Sequence, residues 1–261
     1  MKAGFIGCGN MGGTLALVAA KSGAQVLAAD HHPEKLEALR PSGCVSASAE
    51  EIAAECEFIF LGVKPQVIRK AAAQIAPILS ARKDRFIVVS MAAGVTVASV
   101  SEMLGCPTVI RIMPNTPAAV GEGVLLYCTG ADVTEAEEEA FQKLMAGAGL
   151  CVKLEEGKID MGSAVAGCGP AFVCLLMEAM IDAGVRCGLP RDKAKLFTLQ
   201  TFAGTAKLAL ETGRDPAELR AAVCSPAGST IEGVAALEKN GARNAMLEAV
   251  AAAYKRTKEL G

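Results

Sequence analysis

The chain of 261 residues is longer than one typical domain and shorter than three. Apolar residues make up 52% and charged residues 21%, enough for real cores and incompatible with a disordered chain. A net charge of −2 without any block of like charge, and 4% aromatic residues without Trp, leave neither a basic face nor a stacking platform for nucleic acid.

The uncharged stretch 3–20 lies between Lys2 and Lys21, but its five glycines are too dense for a spanning helix. It reads instead as a strand over Ala3–Gly7, a turn, and a helix from Asn10 to Ser22. The turn is Gly7-Cys8-Gly9-Asn10-Met11-Gly12, a G-x-G-x-x-G pattern placed between a strand and a helix. Gly7 permits the tight turn, Gly9 lets a pyrophosphate approach the backbone, and Gly12 lets helix and strand pack closely. The helix N-terminus then meets the phosphates with free N–H groups and a positive dipole end. A second strand, Gln25–Ala29, leads to Asp30. An acid there usually accepts hydrogen bonds from an adenosine ribose and favours NADH, whereas the adjacent His31, His32 and Lys35 suit the 2′-phosphate of NADPH. The sequence leaves both nucleotides open.

Pro33 opens a helix, Cys44–Val45 is a weak strand, and Ser48 with Glu51 forms a capping box for a short helix. Glu57–Val63 is a strong strand, and Gly62-Val63-Lys64-Pro65 falls at its C-terminal end, the edge at which open α/β sheets bind ligands. Pro65 starts a helix ending near Leu79. Arg85–Ser90 and Thr108–Ile112 are further strands, separated by a helix capped by Thr96. Met91-Ala92-Ala93-Gly94 offers small residues at the same edge, and Asn115, in the Pro-flanked loop after Ile112, is a candidate for binding cofactor or substrate. Val124–Cys128, a helix over Thr134–Met145 and Leu150–Leu154 complete the alternation, which implies a mainly parallel sheet with helices on both faces.

Strand signals stop after Leu154, so the domain boundary is expected near Glu155–Gly157: a dinucleotide-binding domain over 1–155 and an all-helical domain over 156–261. Helices are expected over Gly169–Ala183, Arg191–Glu211, Pro216–Val223 (capped by Asp215), Thr230–Lys239 and Ala242–Leu260. The first two are apolar over most of their circumference, and a domain of this size has little interior to hide them in, which points to burial between subunits. Between two of the later helices runs Val223-Cys224-Ser225-Pro226-Ala227-Gly228-Ser229-Thr230. Backbone N–H groups at Gly228, Ser229 and Thr230 would sit at a helix N-terminus and could cradle a carboxylate. The ten cysteines include no C-x-x-C pair and only two histidines accompany them, so no metal site is expected. Most sit among small apolar residues, as reduced thiols of a cytoplasmic protein do.

The ordered set IGCGNMG, GVKPQ, SMAAGV, RIMPNTP, AGCGPAF and VCSPAGSTIEGVAALE resembles the pyrroline-5-carboxylate reductase family over nearly the whole chain, from Ala3 to about Glu259. The resemblance implies an N-terminal Rossmann-type domain, an all-α dimerisation and substrate domain, and reduction of L-1-pyrroline-5-carboxylate to L-proline by NADPH or NADH. It assigns the cofactor to Gly7, Cys8, Gly9, Asn10, Met11, Gly12, Asp30, His31, Val63, Lys64, Pro65, Ala92 and Ala93. It assigns the substrate to Val223, Ser225, Gly228 and Ser229, with the ring nitrogen near the Thr230 hydroxyl as the catalytic contact. It also implies homodimers through the C-terminal helices, often gathered into decamers. The chain departs from the family pattern at Ala227, where a Gly is usual, at Cys168 for Ser and Phe172 for Tyr, and at Ala49 and Ala222, where many members carry Asn. A related β-hydroxyacid dehydrogenase would need a catalytic Lys in a recognisable motif, and Lys193, Lys195 and Lys207 lie in none. A non-catalytic NAD(P)H sensor would have no need of the Ser225–Thr230 loop.

Overall fold

The computed structural model describes residues 1–259, so Leu260, the end of the last expected helix, lies outside the described residues. In chain order the first part runs β1 (Lys2–Ile6), α1 (Asn10–Lys21), β2 (Gln25–Ala29), α2 (Pro33–Leu39), β3 (Val45–Ser46), α3 (Ala49–Glu55) and β4 (Phe58–Leu61). It continues through α4 (Ile68–Ala81), β5 (Ile87–Ser90), α5 (Val97–Leu104), β6 (Val109–Met113), β7 (Gly123–Thr129), α6 (Glu135–Met145) and β8 (Gly149–Lys153). The strands form one sheet in the order β3-β2-β1-β4-β5-β6-β7-β8. All neighbours are parallel except β6 and β7. Only a single 3₁₀ stretch, Thr116–Val120, separates those two, too little chain for a crossover, so β7 turns back beside β6. The order reverses between β1 and β4, the switch point at which a doubly wound sheet opens a crevice.

Strands buried on both faces explain the continuous apolar runs. In β4, Phe58 and Phe60 enter the core beneath α1 and α6, while Ile59 and Leu61 enter the core beneath α3, α4 and α5. Phe5 of β1 stacks on Phe60, with ring centroids 4.3 Å apart. Ser48 heads α3 in a full capping box and Thr96 caps α5, as the sequence predicts, and Thr134 heads α6 in a second capping box. Pro65 begins a 3₁₀ turn, and the α-helix proper starts at Ile68.

One helix is absent from the sequence reading. α7 (Glu156–Ala166) directly follows β8 and packs on β7 through Ile159, which is fully buried beside Leu126. Gly157 and Gly162 hide this helix from propensity, yet a Cβ at Gly162 would lie 2.6 Å from Leu126 Cδ1, so the helix packs closely on the sheet at this glycine. Arg111 of β6, 1% exposed, binds Asp160 at 2.5 Å and faces Glu156 at 3.7 Å, and Glu156 in turn accepts the Val97 amide at the head of α5. These bonds tie α7 to the sheet of the first unit. The chain divides into one unit of residues 1–168 with 253–261 and a second of residues 169–252.

The second unit holds α8 (Gly169–Arg186), α9 (Arg191–Thr212), α10 (Pro216–Ala222) and α11 (Ser229–Lys239), and α12 (Ala242–Lys258) begins in it. α8 and α9 pack on each other but leave large apolar side chains in the open, including Leu175 at 65% and Leu210 at 82% exposure. The stretch Glu156–Arg186 is long and apolar enough to cross a membrane by length and composition.

Candidate functional site

The nucleotide end of the first unit is built from three glycines at the switch point. Gly7 ends β1 at φ +94°, a left-handed conformation that L side chains resist, and its amide bonds Ala29 O at 2.8 Å. A Cβ on Gly12 would stand 2.0 Å from Gly7 O, and one on Gly62, directly after β4, would stand 2.2 Å from the same oxygen. In the sequence Gly62 is only part of a strand-end loop. The structure makes it the third member of a crossing at which strand, turn and helix touch backbone to backbone. Gly9 differs from these: nothing lies within 4 Å of a Cβ placed there. No neighbour in the protein demands its missing side chain, so the open space faces whatever approaches the loop. Gly9 is also the N-cap of α1, without a side-chain cap and with no acid in the first turn. The amides of exposed Asn10 and half-buried Met11 stand free at the positive end of the helix. A pyrophosphate fits this cradle in both space and charge.

Cys8 sits inside the loop with a different role from its neighbours. Its side chain is buried, and burial pushes its thiol up to about 12, helped by the nearby Asp30 carboxylate. It is an inert packing group. Its amide donates to Asp30 Oδ2 at 2.8 Å. Burial works to raise the pKa of Asp30. The backbone N–H groups of His32 and Cys8, together with Lys35, outweigh that and hold the carboxyl below the usual range. His31 and His32 are exposed, and the His32 ring lies 3.3 Å from Glu34.

Along the same strand ends, Val63 is half-buried against the α3–α5 core, Lys64 is exposed, and Pro65 starts its turn. Ala92 is 1% exposed, so its methyl belongs to the core, while Ala93 is partly open. The side-chain amide of Asn115 is engaged within the protein. Its Oδ1 accepts the Val124 amide at 2.8 Å and its Nδ2 donates to Ala166 O at 2.9 Å. The side chain is a strut joining the start of β7 to the end of α7, pairing a half-buried backbone group of each.

In the second unit, Val223 closes α10 and is largely exposed. The Gly228 amide then bonds Ser225 O at 3.0 Å, with Pro226 and Ala227 between them. Residue order and a φ of +55° at Ala227 are those of a type II turn, which normally takes Gly at that position. Ala227 is the sole non-glycine with positive φ among the described residues, at a cost of roughly 1–2 kcal/mol. The turn delivers Gly228 as N-cap of α11 with no side-chain cap, leaving the amides at Ser229 and Thr230 open to solvent. Ser225, Ser229 and Thr230 are exposed around this helix start, as an anion-receiving loop requires.

Comparison with known proteins agrees with both halves. Residues 156–260 match the family model for pyrroline-5-carboxylate reductase dimerisation. Residues 2–94 match the model for NADP oxidoreductase, coenzyme F420-dependent. Pyrroline-5-carboxylate reductase 3 of Rattus norvegicus is 36% identical over 99% of this chain and 96% of its own length. The pyrroline-5-carboxylate reductase of Pisum sativum is 36% identical over 98% of this chain and 95% of its own. The crystal structure of Plasmodium falciparum pyrroline carboxylate reductase with NADP bound has a TM-score of 0.88 and 30% identity, covering 100% of this chain and 98% of that one.

Proposed function

The chain belongs to the pyrroline-5-carboxylate reductase family, and from that premise we propose that it reduces L-1-pyrroline-5-carboxylate to L-proline with NADPH or NADH. The observation that carries this reading is a family match running over both units, joined to an open pyrophosphate cradle at Gly9. The bound nicotinamide supplies a hydride to the C=N carbon, and the nitrogen ends protonated as the ring amine.

The chain's own residues bind and orient. The head of α1 takes the pyrophosphate. The backbone around Val223, Ser225, Gly228 and Ser229 takes the substrate carboxylate at the head of α11, and the Thr230 hydroxyl bonds the ring nitrogen. An imine is readily protonated in water, so no strong buried acid is required, and Thr230 acts as an orienter. The exposed apolar faces of α8 and α9 pair with those of a second copy in a homodimer, which accounts for a helix of spanning length in an enzyme of this family. Ten free cysteines suit a reducing compartment such as the cytoplasm.

The test is NAD(P)H consumption followed by nicotinamide absorbance, with and without the imine. Oxidation that depends on the cyclic imino acid is the expected result. Oxidation of a 3-hydroxy acid by NAD(P)⁺ with none on the imine would reassign the chain to the β-hydroxyacid dehydrogenases.

A further inference from the structure

The carboxylate of Asp30 is 8% exposed and saturated from inside the protein. Oδ2 accepts the Cys8 amide at 2.8 Å, Oδ1 accepts the His32 amide at 2.9 Å, and Lys35 Nζ bridges both oxygens at 3.1 and 3.3 Å. A carboxylate offers about four lone-pair sites, and these four contacts fill them. A ribose diol could be accepted only by displacing a donor, and the Cys8 amide would then lose its partner within the glycine loop. Lys35 also cancels the Asp30 charge, so the end of β2 does not repel an anion. His31, the next residue in the chain after Asp30, is exposed, while the His32 ring already faces Glu34.

We infer that Asp30 is a positioning residue that holds the glycine loop through the Cys8 amide, and that His31 and Lys35 select a nucleotide bearing a 2′-phosphate. The inference rests on the nucleotide-dependent reading above but not on the imine. Lys35 is 37% exposed and long enough to keep its Asp30 contact while turning an N–H outward. His31, exposed directly after Asp30, adds a ring N–H donor at the same strand end. The acid that by residue type favours NADH is thereby withdrawn, and the cations next to it decide.

Calorimetry with 2′,5′-ADP and 5′-AMP, which differ only in the 2′-phosphate, tests this without imine or turnover. The wild type should bind 2′,5′-ADP at least about 10-fold more tightly, the scale of one charge-assisted phosphate contact. The double variant His31→Leu/Lys35→Met should lose that preference. Asp30→Asn retains an acceptor for the Cys8 amide, so a positioning role predicts little change in 5′-AMP affinity. If Asp30 instead binds the ribose, Asp30→Asn weakens 5′-AMP. Equal wild-type affinities, or that loss, would overturn the inference. A preference for 2′,5′-ADP in a protein that leaves the imine untouched would overturn only the proposed reaction.

Discussion

Gly9 and Gly12 lie three residues apart in one motif, yet the structure separates their functions and so predicts opposite phenotypes for the same substitution. Gly9 has φ −67° and ψ −168°, extended backbone that any residue adopts, and an added methyl meets nothing within 4 Å. Ala is a poorer N-cap than Gly by about 0.5–1 kcal/mol, while replacing Gly lowers the entropy of the unfolded chain and returns about 0.4–1 kcal/mol. The two offset each other, so Gly9→Ala should shift Tm by no more than about 2 °C. Its methyl occupies the approach of the pyrophosphate, and NADPH affinity should fall by roughly 10- to 100-fold. Gly12→Ala sets a Cβ 2.0 Å from Gly7 O and 3.7 Å from Gly62 Cα, against backbone that has no rotamer to yield. Overpacking of this kind costs about 1–3 kcal/mol or more, beyond the ~1 kcal/mol that Ala contributes to a helix interior. Thermal unfolding and NADPH fluorescence titration on both variants read the two effects separately. Wild-type NADPH affinity in Gly9→Ala, or a Tm loss equal to that of Gly12→Ala, would refute the reasoning.

Three further outcomes follow from the same geometry. Thr230→Ala should lower kcat with the imine by roughly 10- to 1000-fold while leaving nucleotide affinity unchanged, since it removes one hydrogen bond to an ionic group; unchanged steady-state kinetics would exclude the ring nitrogen from that hydroxyl. Leu199→Glu places a charge on an apolar face of α9 that is 40% exposed in the single chain, and light scattering should show loss of both dimer and activity, whereas a monodisperse and active wild-type monomer would end the dimer reading. Glu137 carries the clearest acid sensitivity: the Arg85 guanidinium, then the Thr134 amide and hydroxyl, prevail over burial and hold its carboxyl at about 2. A depressed acid stabilises the fold fully above its unfolded pKa of about 4.3 and loses that contribution as pH falls toward 2. Arg85→Gln should therefore cost roughly 1–2 kcal/mol at neutral pH and flatten the decline in that window, as denaturant midpoints across the range will report.

What the sequence displays and what it conceals divide along the reach of each interaction. Ser48 with Glu51, Thr134 with Glu137 and Asp215 with Ala217 bond within three residues, and each cap stands where the residue pattern places it. α7 is invisible in the sequence because Gly162 answers to Leu126, far away along the chain, and a distant packing contact looks locally like poor helix propensity. Asn115 and Asp30 show the same division in functional residues. Their types announce polar contacts at the sheet edge, and both sit at that edge. Yet the partners they satisfy, Ala166 O for one and the Cys8 amide for the other, are set by which chain ends the sheet brings together. Cys8 meets Asp30 because β1 and β2 run parallel with Ile6 opposite Ala29, so the next residues of both strands emerge side by side. A carboxylate at the end of β2 is thus offered two competing uses, a ribose outside or a loop amide inside. The inner donor is covalently attached and already in place, whereas a ligand must first give up translational and rotational freedom. That difference in entropy lets one buried amide redirect an acid whose type alone favours NADH.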